Sequence, residues 1–152
     1  QQDFGSMLLN NIIVLLFHLS LVILICWMGW QDWRTREVSN TLSIPLAAFG
    51  MFGLFFRLYA GEPSAQTSLI VVLVLTSVAL RGWMGGADWK VQMGLWGLWP
   101  LGGIAALIGG GAWGAIAMIR THDKNVSFPG ISAFAIAILL TFVAEVSIIS
   151  FS

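Results

Sequence analysis

Seven acidic side chains are all that this chain offers for carboxylate chemistry, and two of them stand out by position. Asp32 follows a long apolar stretch, and Asp88 follows another inside a glycine-rich break, Gly85-Gly86-Ala87-Asp88. Two carboxylates brought into one site cannot both ionise easily, so one keeps its proton. Such a pair can activate a water: one acid takes the water's proton and the other protonates a scissile carbonyl. The two groups then titrate as one coupled system. An acid at a helix end beside lysines and arginines is ordinarily a solvated loop charge, and spacing alone leaves both readings open. Other chemistries have less to work with. The single cysteine, Cys26, lies in an apolar run, which excludes a disulfide framework and a structural zinc site. His18 sits within the first apolar stretch and His122 in a polar loop, too remote in the topology to share a metal. No metal or organic cofactor is expected.

The elements that must position these acids follow from composition. Of 152 residues, 58% are hydrophobic and 9% charged, with seven basic and seven acidic residues and a formal net charge of zero; the mean hydropathy is +0.88. A soluble domain carries roughly 25% charge. Fourteen charges cannot cover the surface of a soluble domain of this size, and nothing here supplies the basic face that nucleic acid requires. A bilayer protein remains, and at about 20 residues per span there is room for some six helices. The predicted fold is an all-α polytopic membrane helix bundle. Residues 1–6 read as an expression scar ahead of an initiator Met7, leaving residues 7–152 as a single membrane domain. No cleaved signal peptide is expected. The spans are placed at about residues 8–30, 41–60, 67–83, 100–119 and 131–149, with a short fourth helix at 88–99 that Pro100 ends. The fifth span is rich in glycine, which permits close helix packing in lipid.

Orientation follows from the basic residues. With the N-terminus outside, Arg34, Arg36, Arg81, Lys90, Arg120 and Lys124 face the cytoplasm, and Arg57 alone faces the other side. That count holds if the short fourth helix counts as a crossing; if it does not, the last loop moves to the outer side and the count falls to four against three. Both Asp32 and Asp88 then lie at the cytoplasmic boundary. Tryptophans 27, 30, 33, 83, 89, 96 and 99 fall at predicted interfaces, as an aromatic belt would.

Three segments, in order, resemble the type IV prepilin peptidases. Asp32-Trp33-Arg34-Thr35-Arg36-Glu37-Val38-Ser39-Asn40 is similar to their Asp-x-Arg-x-Arg-x-Ile-Pro-Asn segment. Gly85-Gly86-Ala87-Asp88-Trp89-Lys90 is similar to the Gly-x-Gly-Asp-x-Lys motif of the wider GxGD membrane aspartyl proteases. Phe128-Pro129-Gly130-Ile131-Ser132-Ala133-Phe134-Ala135 resembles their Pro-x-x-Pro-Ala segment. The resemblance implies that Asp32 and Asp88 are catalytic. It implies cleavage of a basic leader from type IV, Flp-like prepilins or related proteins at the cytoplasmic face of a prokaryotic inner or plasma membrane. It places Gly85, Gly86, Ala87, Lys90, Asn40 and Pro129 in supporting motif positions. Ala87 stands where the second motif has glycine, and Ser39 and Ser132 stand where the family segments have proline. One cysteine and no Cys-x-x-Cys insertion match the short, peptidase-only members.

Several side chains have two readings. Lys90 either tunes Asp88, holds substrate, or anchors the protein at the interface. Arg34 and Arg36 contact lipid phosphate, position Asp32, or serve as orientation charges, with orientation the expectation. Glu37 and Asp123 are candidate contacts for a basic leader. Ser39, Asn40 and Thr41 are all N-cap types for the second helix; Asn40 caps it or bonds to the site loop, with capping the expectation. Arg57 and Glu145 are expected to pair if their helices touch, and His18 to be a packed, hydrogen-bonded helix-face residue. The rival class is a small transporter or assembly subunit that uses the acids for cation or proton binding; it predicts acids at mid-membrane on facing helices. A GxGD protease of other membrane substrates is a third reading.

Overall fold

In a computed structural model, the structure describes residues 4–122 and 129–151. Six helices follow one another: α1 (Phe4–Thr35), α2 (Asn40–Tyr59), α3 (Pro63–Leu80), α4 (Gly86–Leu98), α5 (Pro100–Thr121) and α6 (Gly130–Phe151). Five are long and apolar enough to cross a membrane. Their most apolar stretches are only 22–28% buried within the protein, so most of the apolar surface is left for lipid. Phe49, Phe52, Phe55 and Phe56 on α2 are all exposed in this way. With 13 residues, α4 spans about 20 Å and is too short to cross alone.

Local chemistry sets the helix boundaries. α1 runs past its apolar stretch and ends at Thr35, before Arg36, whose φ of 56° is left-handed. Asp32 is therefore inside the last turn of α1, not beyond it. Ser39 caps α2, its hydroxyl accepting from Thr41 N at 3.2 Å. The expected cap, Asn40, is instead the first helical residue. Pro63 opens α3. Gly82, with φ 73°, turns the chain out of α3. Gly85 precedes α4, and Gly86 and Ala87 are already helical. Ala87 thus meets no left-handed requirement, and the alanine in place of the motif glycine fits. Between α4 and α5 the chain bends at Trp99 (φ −148°, ψ 82°) and restarts at Pro100.

α4 is the axis of the bundle. One side packs on α2 and α3 through Leu54, Val72, Leu75 and Trp96. The other packs on α5 and α6, in a core where Val91, Leu95, Phe134 and Ile138 are joined by Ile25 and Met28 of α1. α2 and α4 come closest together: a Cβ on Gly97 would fall inside the Gly50 main chain. The expected role of the α5 glycines also holds, since Gly102 and Gly103 seat the Trp99 and Trp96 rings and Gly110 seats Phe134.

Two expectations are corrected here. Arg57 and Glu145 do not meet. The Arg57 guanidinium is bound at 2.8 Å to Glu62, donates to Ser64, and reaches the carbonyls of Trp96 and Gly97 at 3.2 and 3.3 Å, at the end of α4. Glu145 instead accepts from Trp99 Nε1 at 2.9 Å and hydrogen-bonds His18 Nδ1 at 2.9 Å. The two charges sit on elements separated by α4, so each finds a nearer partner. The tryptophan belt is also narrower than expected: Trp27, Trp30, Trp33 and Trp83 are exposed, whereas Trp96 and Trp99 are core residues at the α4–α5 bend.

Candidate active site

The end of α1, the starts of α2, α4 and α6 and the middle of α5, at Leu107, Gly110 and Gly111, meet around one site. The Lys90 ammonium donates to Asn40 Oδ1 at 2.6 Å, tying the start of α4 to the start of α2. Trp89 Nε1 donates to Thr76 Oγ1 at 3.0 Å, tying it to α3. A cavity of about 720 Å³ opens at this site, and both Asp32 and Asp88 line it.

Asp32 is 8% exposed. Its Oδ2 accepts from the main-chain N–H of Ile131 at 3.0 Å and of Ser132 at 3.4 Å. Both donors belong to the first turn of α6, where main-chain N–H groups have no partner inside the helix and the helix dipole favours an anion. The Ser132 hydroxyl donates to Gly29 O at 2.8 Å, one turn before Asp32, and so fixes α1 against α6.

Asp88 projects from the first turn of α4. Its carboxyl rests against Gly130 and Gly85: a Cβ on Gly130 would lie 2.8 Å from Oδ1, and one on Gly85 would lie 3.0 Å from Oδ2. Glycine is needed at both places for close approach, not for unusual dihedrals. Asp88 stands outside the five membrane-length helices. Burial, and then the charge of Asp32, push its pKa up to about 7. The two acids therefore sense each other, and near neutrality Asp88 still holds a proton for much of the time.

The other expected site residues are partly gathered here. Gly85, Gly86, Ala87, Lys90, Asn40 and Glu37 line the cavity. Pro129 is buried, and its carbonyl accepts from Ala133 N at 3.4 Å as α6 begins. Asp123 lies outside the described residues. Lys90 spends its ammonium on Asn40 and is not among the groups that shift Asp88. Arg34 stacks over the Trp30 ring at 5.5 Å and does not line the cavity. His18 is hydrogen-bonded, as expected, within a helix-face cluster, and the described residues hold no group of three metal-ligating side chains. Sequence reasoning missed the Ile131 and Ser132 amides and the fit of Gly130 to Asp88. The available signal was the helix start after Pro129-Gly130, since such a start presents free N–H groups to an anion.

The family model for type IV leader peptidases matches residues 19–146, the greater part of the chain. The chain belongs to that family. The matched region contains all three motif segments and both carboxylates. Membership makes this leader peptidase a hydrolase of the prepilin-processing kind, working in a membrane context. Comparison with curated proteins and with solved structures gives no match.

Proposed function

We propose that the protein is an aspartic-type endopeptidase that removes the basic leader from Flp-like prepilins, or related proteins, at the cytoplasmic membrane face. Asp32 and Asp88 are its catalytic residues. The observation that carries this reading is that the two acids, from α1 and α4, line one cavity with Asp88 poised to hold a proton near neutral pH. One member of the pair activates a water for attack on the scissile carbonyl, and the other protonates the carbonyl oxygen.

The substrate combines a basic leader with an apolar helix. Glu37, at the rim of the cavity, and Asp123 supply negative charge for the leader. The basic residues of Arg34, Arg36, Arg81, Lys90, Arg120 and Lys124 favour a cytoplasmic site and an N-terminus on the outer side. The test is co-expression with a candidate prepilin, read as conversion of precursor to mature pilin. Asp32→Asn and Asp88→Asn should each abolish conversion while the protein remains inserted. Full processing by either variant would remove the basis of the proposal.

A further inference from the structure

The two carboxylates are held differently. Asp32 receives two main-chain N–H donors from α6. No hydrogen bond reaches the Asp88 carboxyl among the described residues; its oxygens face the bare Cα of Gly130 and Gly85. Donors that can only give protons stabilise a carboxylate over a carboxylic acid. The charged groups around the pair are Arg36 and Glu37, from the turn after α1, and Lys90 on α4. α5 and α6 bring no ionisable side chain to the cavity among the described residues, only apolar and glycine positions.

Ser132 is central to this asymmetry. The family segment has proline at this place, and proline has no N–H. In this chain the serine adds a second donor to Asp32, and its hydroxyl anchors the preceding turn of α1 at Gly29.

Resting on the reading that Asp32 and Asp88 are the catalytic pair, we propose that Ser132 is a positioning residue whose main-chain N–H, with that of Ile131, fixes Asp32 as the anionic base and leaves Asp88 as the acid. The Asp32 carboxylate takes a proton from water as the water oxygen bonds to the carbonyl carbon. Asp88 gives its proton to the carbonyl oxygen, forming a neutral gem-diol. The C–N bond then breaks as Asp32 returns its proton to the leaving nitrogen. One gem-diol hydroxyl passes its proton back to Asp88. The products are a carboxylic acid and an amine, and both aspartates recover their starting states.

The experiment is a pH–rate profile of prepilin cleavage by the purified full chain in lipid, comparing wild type, Ser132→Ala and Ser132→Pro. The Ser132 N–H lies in the first turn of α6, so proline removes the donor to Asp32 and no intrahelical bond. Losing a donor to an anion raises that acid's pKa. The acid limb of Ser132→Pro should move up by roughly 0.5–1 pH unit, from the usual net worth of one hydrogen bond. Ser132→Ala keeps the N–H, and its acid limb should stay with wild type even if its rate falls. An unmoved acid limb in Ser132→Pro, or a shift of the alkaline limb instead, overturns the assignment.

A second measurement needs no Ser132 variant. Infrared titration of the full chain should show a protonated carboxylic-acid band that disappears in Asp88→Asn and persists in Asp32→Asn. The reverse pattern places the proton on Asp32 and overturns the proposal. Retained cleavage by either asparagine variant is a different outcome: it removes the catalytic reading itself. Loss in both, with an unmoved Ser132→Pro limb, sinks only the positioning role.

Discussion

The Asp88 carboxyl reaches the cavity because residue 130 has no side chain. A Cβ there would lie 2.8 Å from Asp88 Oδ1, and the part that must give way is the end of a side chain, not main chain. Gly130→Ala should therefore cost little stability, under about 1 kcal/mol, because alanine also favours the helix, yet move the acid off its position. A misplacement of that kind costs about 10²-fold in rate. The check is kcat for prepilin cleavage alongside thermal unfolding of the same preparation. Asp88 also carries a stability signature. Its pKa is about 7 in the folded protein against an ordinary 3.8. The folded state thus binds more protons than the unfolded one between those values, so this group's contribution favours folding at low pH and is lost as pH rises toward 7. Asp88→Asn removes the partly buried charge. Its melting temperature at pH 8 should exceed that of wild type by several degrees, with the two converging near pH 4. Both carboxylates were legible in the sequence, because side-chain type and motif mark them. The Ile131 and Ser132 donors were not, since every non-proline residue carries an N–H and only the packing of α6 on α1 aims these two. Lys90 shows the same limit: its type was visible, but its bond to Asn40 depends on where the start of α2 lies.

Among the elements, α4 is the one whose placement decides the site, because Asp88 moves with it. Its seat on α2 depends on bare main chain at Gly50 and Gly97. Gly97→Ala would drive a methyl into the Gly50 backbone, which cannot yield as a side chain can. The substitution should destabilise by at least about 1–3 kcal/mol, the usual cost of overpacking. Gly111 on α5 is the control. A Cβ there meets nothing within 4 Å, so Gly111→Ala should stabilise by about 0.5–1 kcal/mol through helix propensity. Thermal unfolding of the two variants in one lipid system separates these effects. The number and order of helices could be read from apolar runs and from Pro63, Gly82 and Pro100, because these residues act locally. The helix ends were harder. Gln31-Asp32-Trp33-Arg34 has the composition of a loop, but α1 continues through it because α6 supplies partners for the buried Asp32 carboxylate. The same tertiary contact that makes Asp32 a candidate for catalysis extends the helix that carries it.

Across the whole molecule, the two acids come from opposite sides of a seam: Asp32 from α1, which packs on α6, and Asp88 from α4, which packs most closely on α2. The seam is held at both ends. At the cavity end, α6 binds Asp32 and Lys90 binds Asn40. At the far end of α4, about 20 Å away for a 13-residue helix, Glu145 of α6 joins His18 of α1 to Trp99 at the α4–α5 bend. The His18 and Trp99 rings stack there at 4.4 Å. This cluster is why a sequence-based pairing of Glu145 with Arg57 failed: mutual reach along the membrane normal matched, but α4 and its bend lie between the two helices. Glu145→Leu would leave the Trp99 N–H and the His18 ring without their partner, and each part-buried group left unpaired costs about 1–3 kcal/mol. Glu145→Gln keeps an acceptor for Trp99 and a donor or acceptor for His18, and should stay near wild type. The distance to the acids makes the second half of the prediction specific. Because Asp32 is set by α6 and Asp88 by Gly85 and Gly130, all at the cavity end, the fraction of Glu145→Leu that remains folded should cleave prepilin within about threefold of the wild-type rate, a barrier change under about 1 kcal/mol. Thermal unfolding and initial rates on the same samples decide it. A normal melting temperature with a collapsed rate would mean that the far cluster governs the acids themselves and does more than hold the seam.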